Sequence, residues 1–409
     1  MVVHARWRNQ SSLTPSIHDY PQAEPWEFGK PITVTSTNGE NTFHHLESAG
    51  RHNVAVSADT VAVAWEDDRD GTPRIYLARK GITSQHFSSE VKISGQGEAY
   101  EPSLVALSNN HFVLAGEEGA RIHVRIVTPT ELGPVMNLGA GEANQPSLAT
   151  YDQHLLLAYS QRDGRYARIW AQRIDIDGQL LKTMQSCAVD SEPAKDDQLY
   201  PSIAGLADRI IVAWEDHRPG HTISMAAQND DLNACRFRPP QRLSDPSSSG
   251  DMPYGKGHGV ARVTLARYGA EQLLAVWADK RNFREGYDIY SADYQAGSND
   301  LFGPNLRVQD SFGGVAQQWH ATATGDQSGR LVVGWDDNRN GNADIMLSWR
   351  EDDEWSDDVN VPGADGKGEQ NHPTISLDSE GNLHLAWIER PTIGGPTQVR
   401  YLFGKLIKR

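Results

Sequence analysis

The apolar residues of this chain come in short runs, β-branched and aromatic rather than helically spaced. Thr60-Val61-Ala62-Val63-Ala64-Trp65 and Arg330-Leu331-Val332-Val333-Gly334-Trp335 are two of them, bounded by Gly, Asp and Asn. Runs of this kind between turn residues predict strands. No segment carries a long helical apolar period with caps, so no helix is predicted.

The runs recur with the same polar phrase behind them. Ala64-Trp65-Glu66-Asp67-Asp68-Arg69-Asp70-Gly71 returns as Ala213-Trp214-Glu215-Asp216-His217-Arg218-Pro219-Gly220, as Val276-Trp277-Ala278-Asp279-Lys280-Arg281, and as Gly334-Trp335-Asp336-Asp337-Asn338-Arg339-Asn340-Gly341. Worn copies are centred on Gly116, Tyr159 and Trp387. The anchors 65, 116, 159, 214, 277, 335 and 387 step by about 54 residues, a period that marks repeat architectures. A polar Asp-x-Arg-x-Gly turn between two strand runs is hairpin chemistry. A unit of this length accommodates four short strands, and four-stranded units arranged radially make a propeller. The expected fold is all-β, a seven-bladed β-propeller of four-stranded blades.

Ring closure is also legible. Each full repeat has a further strand, such as Val91-Lys92-Ile93-Ser94 or Val359-Asn360-Val361, but the last repeat runs out at Val399-Arg400-Tyr401-Leu402-Phe403. Pro31-Ile32-Thr33-Val34-Thr35-Ser36 is unassigned at the other end. It is expected to pair beside residues 398–403 and remove an open sheet edge. The expected organisation is an N-terminal extension, 1–29, and one propeller domain, 30–409.

Composition narrows the partners. The formal net charge is −16, which argues against nucleic acid and anionic membranes, since such binding uses basic patches. No apolar run has membrane-span length, and a monomer is expected. No export signal is visible as written; a trimmed mature form would look the same and would be secreted or periplasmic. Cys187 and Cys235 lie near outer strands of neighbouring blades, and their pairing stays open.

The Ala-Trp-x-Asp-x-Arg-x-Gly-x-x-x-Ile-Tyr phrase resembles repeats of the sialidase-like (BNR/Asp-box-related) bacterial β-propeller proteins, over roughly residue 30 to the end. Many of these are carbohydrate-active or cell-surface proteins, so the resemblance implies a propeller with glycan chemistry. The Ser-x-Asp-x-Gly-x-x-Trp boxes and early Arg-Ile-Pro of true sialidases are absent, and Arg74-Ile75-Tyr76 falls within a strand. Function must therefore be argued from the site.

Topology locates it. The Asp-x-Arg turns and the residues leading into each inner strand should share one rim. The lead-ins are read as Gly50-Arg51-His52-Asn53, Tyr100-Glu101-Pro102-Ser103, Asn144-Gln145-Pro146-Ser147, Leu199-Tyr200-Pro201-Ser202, Lys256-Gly257-His258-Gly259, Gln318-Trp319-His320-Ala321 and Asn371-His372-Pro373-Thr374. Proline is the default third residue, and His52, His258 and His320 replace it. Structural duties repeat from blade to blade, whereas an asymmetric site does not. Arg51, His52, Glu101, Tyr200, His258 and His320 are the candidate catalytic residues. Tyr100, Gln145, Lys256, Trp319 and His372 are the candidate substrate-binding residues. The Asp-x-Arg pairs repeat and read as scaffold. The Gly/Ser-rich stretch 245–258 reads as a lid or a plain connector.

Two function classes fit. One is an enzyme acting on a carbohydrate or other small polar substrate. Uronate β-elimination needs a base, an acid and a cation for the carboxylate, for which His258 or His52, Tyr200 and Arg51 suit, with Trp319 as a sugar platform. Glycoside hydrolysis needs two apposed carboxylates, and Glu101 is the only evident non-repeating one. The other class is a carbohydrate-binding or protein-interaction scaffold. No cofactor is required. A calcium in acidic turns such as Asp336-Asp337-Asn338, or a metal on His52, His258, His320 and His372, is the alternative.

Overall fold

The computed structural model describes residues 25–407 except 37–40, 47–51, 153, 207–208, 219–221, 232–233, 246–258, 282–284, 311–314 and 352. Seven antiparallel sheets follow one another along the chain, and no helix occurs among the described residues. The inner strands are Val54–Ser57, Ala99–Ala106, Ala143–Tyr151, Gln198–Leu206, Val260–Tyr268, Gln318–Gly325 and Glu369–Leu377. Each is followed by a largely buried strand that carries the anchor, and the strands then step outward in chain order, as the repeat predicts.

The ring closes as expected. Ile32 and Thr33 pair with Tyr401 and Arg400, and Val34 N–H donates to Val399 O at 2.8 Å. Trp26–Phe28 adds a second pairing, against Gly404–Leu406, ahead of the 30–409 span expected for the propeller. Trp26 is buried, its indole N–H donates to Gly381 O at 2.9 Å, and its ring meets Trp349 edge-on. Gly404 is required here: a Cβ would stand 2.8 Å from the Phe28 ring.

The anchors form the wedges between blades. Trp65, Trp214, Trp277, Trp335 and Trp387 have no exposed surface. A buried indole N–H needs an acceptor, and the carboxylate two residues on supplies it: Asp67, Asp216, Asp279, Asp337 and Glu389, at 2.8–3.3 Å. The arginine of the turn then grips the same aspartate. Arg339 donates to Asp337 at 2.6 Å and to Asp358, ahead of the outer strand, at 2.7 Å. Burial opposes ionisation of Asp216, but the hydrogen bonds and charge of Arg218 outweigh it and hold the carboxyl below its usual range. The Asp-x-Arg motif is thus a clasp within the fold.

Serine and threonine stitch neighbouring inner strands together. Ser103 Oγ accepts from Leu148 N–H, Ser202 Oγ from Leu265 N–H and Thr374 Oγ1 from Asn53 N–H, each at 3.0 Å. Cys187 and Cys235 are disulfide-bonded with Cα atoms 5.2 Å apart, tying the outer strand of the third blade to the fourth.

Candidate functional site

In every inner strand from the second blade to the seventh, two residues face one on the neighbouring strand. The first residue of each bulge has a left-handed backbone: Glu101, Gln145, Tyr200, Arg262, His320 and His372, with φ between 50° and 58°. Such conformations cost ~1–3 kcal/mol in non-glycine residues. Five of the six are clasped by the preceding blade; ahead of His320, Ala278 stands at the clasp position. Glu66 accepts the Glu101 amide at 2.8 Å, Glu117 that of Gln145 at 2.5 Å, Glu215 that of Arg262 at 2.5 Å and Asp336 that of His372 at 2.9 Å. Ser160 replaces the carboxylate in the third blade, and the Gln145 carboxamide instead accepts the Tyr200 amide at 2.9 Å. Six side chains of five chemical types therefore occupy one repeated backbone position around a single rim.

Three of the sequence-derived placements change. The fifth inner strand begins at Val260, so its lead-in is Ala261-Arg262-Val263-Thr264 rather than 256–259, and the bulge residue is Arg262. In the sixth blade His320 occupies the bulge and Ala321 the proline slot, one residue off the expected register. Arg51, Lys256 and His258, and all but Asp245 of the stretch 245–258 expected as a lid or a connector, lie outside the described residues. His52 does occupy a proline slot, but it lines the central channel, with its ring hydrogen-bonded to the Ile375 backbone; burial lowers its pKa.

The blades from the fourth to the first carry the His, Tyr and Arg chemistry. His320 and His372 stack with ring centroids 3.8 Å apart, and His45 meets His372 edge-on at 4.8 Å. His320 Nδ1 lies 2.6 Å from Asp336 Oδ2. His372 Nδ1 is buried without a hydrogen-bond partner. Burial, then the charges of His320, His45, Arg262 and Arg390, hold the His372 pKa well below the usual histidine range, so it is neutral. Arg262 lies over the Tyr200 ring at 3.7 Å, with Nε 3.8 Å from Glu215. Trp319 packs on Tyr287 at 3.9 Å. On the far side of the rim Tyr100 donates to Glu98 at 2.9 Å; burial and then Glu98, Glu66 and Glu117 raise its pKa.

Packed imidazole rings are not a metal cage, and among the described residues no group of three or more His, Cys, Asp or Glu is placed to hold a metal ion. The Asp336-Asp337-Asn338 turn is likewise committed to nitrogen donors: His320, His372, Trp335 and Arg339.

Arg262, Asp336, Glu66, Glu117 and Glu215 were not among the sequence candidates. One signal finds the first. Each bulge residue precedes its anchor by 14 or 15 residues, which selects Arg262 ahead of Trp277 and rejects His258. The clasping carboxylates all directly follow the anchor.

The fold and the rim define a seven-bladed propeller with one asymmetric mouth. No protein-family model matches the chain, and no curated protein sequence matches it. Solved structures do resemble it in fold. The polysaccharide lyase Uly1 superposes with a TM-score of 0.55 at 10% identity, covering 88% of this chain and 90% of the lyase. The Penicillium chrysogenum alpha-L-arabinanase complexed with arabinobiose gives 0.47 at 13% identity, over 73% and 92% of the two chains. The neuraminidase-like subtype N11 protein of A/flat-faced bat/Peru/033/2010 gives 0.47 at 8% identity, over 93% and 95%. At 10% identity the likeness to the lyase is one of fold.

Proposed function

We propose that this propeller processes glycans at the mouth of its central channel, by β-elimination on a uronate-containing polysaccharide. The observation that carries the reading is the pairing of a neutral, partnerless His372 nitrogen with the His320–Asp336 dyad beside it, next to the Arg262–Tyr200 stack. A neutral imidazole beside a second imidazole oriented by a carboxylate is an arrangement suited to acid–base division of labour.

In this reading Arg262 takes the sugar carboxylate and stabilises the charge that builds on it as the C5 proton leaves. His372 removes that proton. The C5–H electrons form the double bond to C4 as the C4–O bond breaks, and Tyr200 or His320 supplies the proton to the departing oxygen. Trp319 offers a face for the adjoining sugar ring. Hydrolysis fits less well, because Glu66, Glu117, Glu215 and Asp336 already accept backbone amides as inter-blade clasps. Of the residues suggested by sequence, Glu101, Gln145, Tyr100 and Trp319 keep a place along the rim as substrate contacts, and His52 belongs to the channel below.

Polysaccharides with and without uronate, followed by ultraviolet absorbance of the unsaturated product and by reducing ends, test this. Absorbance that rises with uronate substrates alone is expected, with His372→Gln and Tyr200→Phe lowering turnover by roughly 10²–10⁴-fold. Reducing ends without absorbance would make the site a hydrolase. Binding without either product would make it a recognition scaffold, the second class considered from sequence.

A further inference from the structure

Directly beneath the bulge ring the central channel widens into a cavity of about 190 Å³. It begins at Ser147 and Ser202, two residues after the bulge residues Gln145 and Tyr200, and runs to Arg267 and Gly325 near the opposite end of the inner strands. The volume corresponds to roughly six waters at ~30 Å³ each, the scale of one sugar with its hydroxyls, and is too small for a folded-over chain.

The lining is selective in two respects. Its hydroxyls retain a hydrogen to donate: Ser202 Oγ accepts the Leu265 amide and Thr324 Oγ1 the Leu377 amide, and a hydroxyl that accepts one bond keeps its own O–H. Its titratable residues are His52 and Arg267, with no carboxylate among the described residues lining it. This stands out in a chain of net charge −16. Arg267 lies over the Tyr151 ring at 5.6 Å and gives one N–H to Ala270 O at 3.2 Å, so a guanidinium with five N–H donors has most of its fork left to offer.

We infer that the channel is a second binding site, for a single carboxylated sugar, with Arg267 as the carboxylate partner and the Ser/Thr ring as the hydroxyl partners. The choice of a sugar rests on the glycan reading above; the preference for an anion rests on the lining itself. The site lies below the reacting groups, so it holds a released uronate or a chain-end unit rather than the bond being broken.

Equilibrium binding measures this without turnover. Titration calorimetry with free glucuronate, and with glucose as its neutral counterpart, is expected to show glucuronate binding at least tenfold tighter. Arg267→Gln should remove that preference. Thr150→Trp should abolish binding of both by plugging the cavity from an exposed position of its lining; Ala323 is fully buried in the core between blades, and at Gly325 a Cβ would stand 2.5 Å from Tyr268 Cβ. His372→Gln should leave glucuronate binding intact even where turnover is lost, which separates this site from the mouth. Equal binding of the two sugars, wild-type binding by Arg267→Gln or by a folded Thr150→Trp, or loss of binding in His372→Gln would each overturn the inference.

Discussion

Asp336 serves two histidines from adjacent blades. One oxygen, Oδ2, lies 2.6 Å from His320 Nδ1 and also accepts the His372 backbone amide at 2.9 Å. The carboxylate thus fixes the orientation of one ring through its side chain and the position of the other through its backbone, and it explains why the two rings stack.

Asp336→Asn separates these roles. The amide oxygen can still accept the His372 N–H, so the fold should hold. The negative charge beside His320 Nδ1 is lost. Turnover should fall by at least tenfold with the melting temperature nearly unchanged, measured as initial rate against a parallel thermal melt. Wild-type turnover would remove His320 from the chemistry.

Trp26→Ala tests ring closure. This buried side chain seals the last blade from the N-terminal side, and truncating a buried tryptophan costs ~3–5 kcal/mol. Denaturant unfolding should show a loss in that range. A loss below about 1 kcal/mol, the range of ordinary surface substitutions, would mean that the ring does not depend on this strand.

Arg339→Ala should act on stability alone. Its side chain is 11% exposed and holds the fully buried Asp337 and Asp358; leaving buried carboxylates without their cation costs ~3–5 kcal/mol. Activity per folded molecule should change little. A stable but inactive variant would move this clasp into the functional site.

Histidines predict the acid limit of the fold. Burial is the leading reason that His44, His52, His372 and His384 have lowered pKa values. A chain that unfolds lets each take up a proton near pH ~6.5, which the folded state resists. Stability should therefore decline as pH falls below ~6.5 toward the depressed folded-state values. Asp378, held at about 2 despite burial by His384 and Asn382, adds a second loss as pH falls from its ordinary ~3.9 toward that value. Melting temperature against pH should show both, and His384→Gln should flatten the first. A melt independent of pH between 5 and 7 would contradict this.

The repeat made the ring, its blade number and its closure legible, because Trp65, Trp214, Trp277, Trp335 and Trp387 perform one packing duty at one period. The site was legible in its face but not in its members. Reading the fifth lead-in at 256–259 puts His258 itself in the proline slot and brings Lys256 with it, whereas the strand begins at Val260. The left-handed bulge that actually presents the side chains has no residue signature: Glu, Gln, Tyr, Arg and His all adopt it. Arg262 was hidden for this reason, and only its fixed distance from Trp277 identifies it. Asp336 and Glu215 were hidden differently, because a carboxylate beside the repeated Asp-x-Arg clasp looks like part of it.

The bulge has one further implication. At 101, 200, 262 and 372 the backbone is held through an amide hydrogen and a partner on the preceding blade, and the side chain at that position takes no part in the grip, whereas the Gln145 carboxamide is itself the partner of the Tyr200 amide. Those four sockets can therefore be refitted singly, without rebuilding the frame. Chemistry on this ring is interchangeable by position, and a new specificity can be sought by exchanging the residue at 101 while those at 145, 200, 262, 320 and 372 are kept.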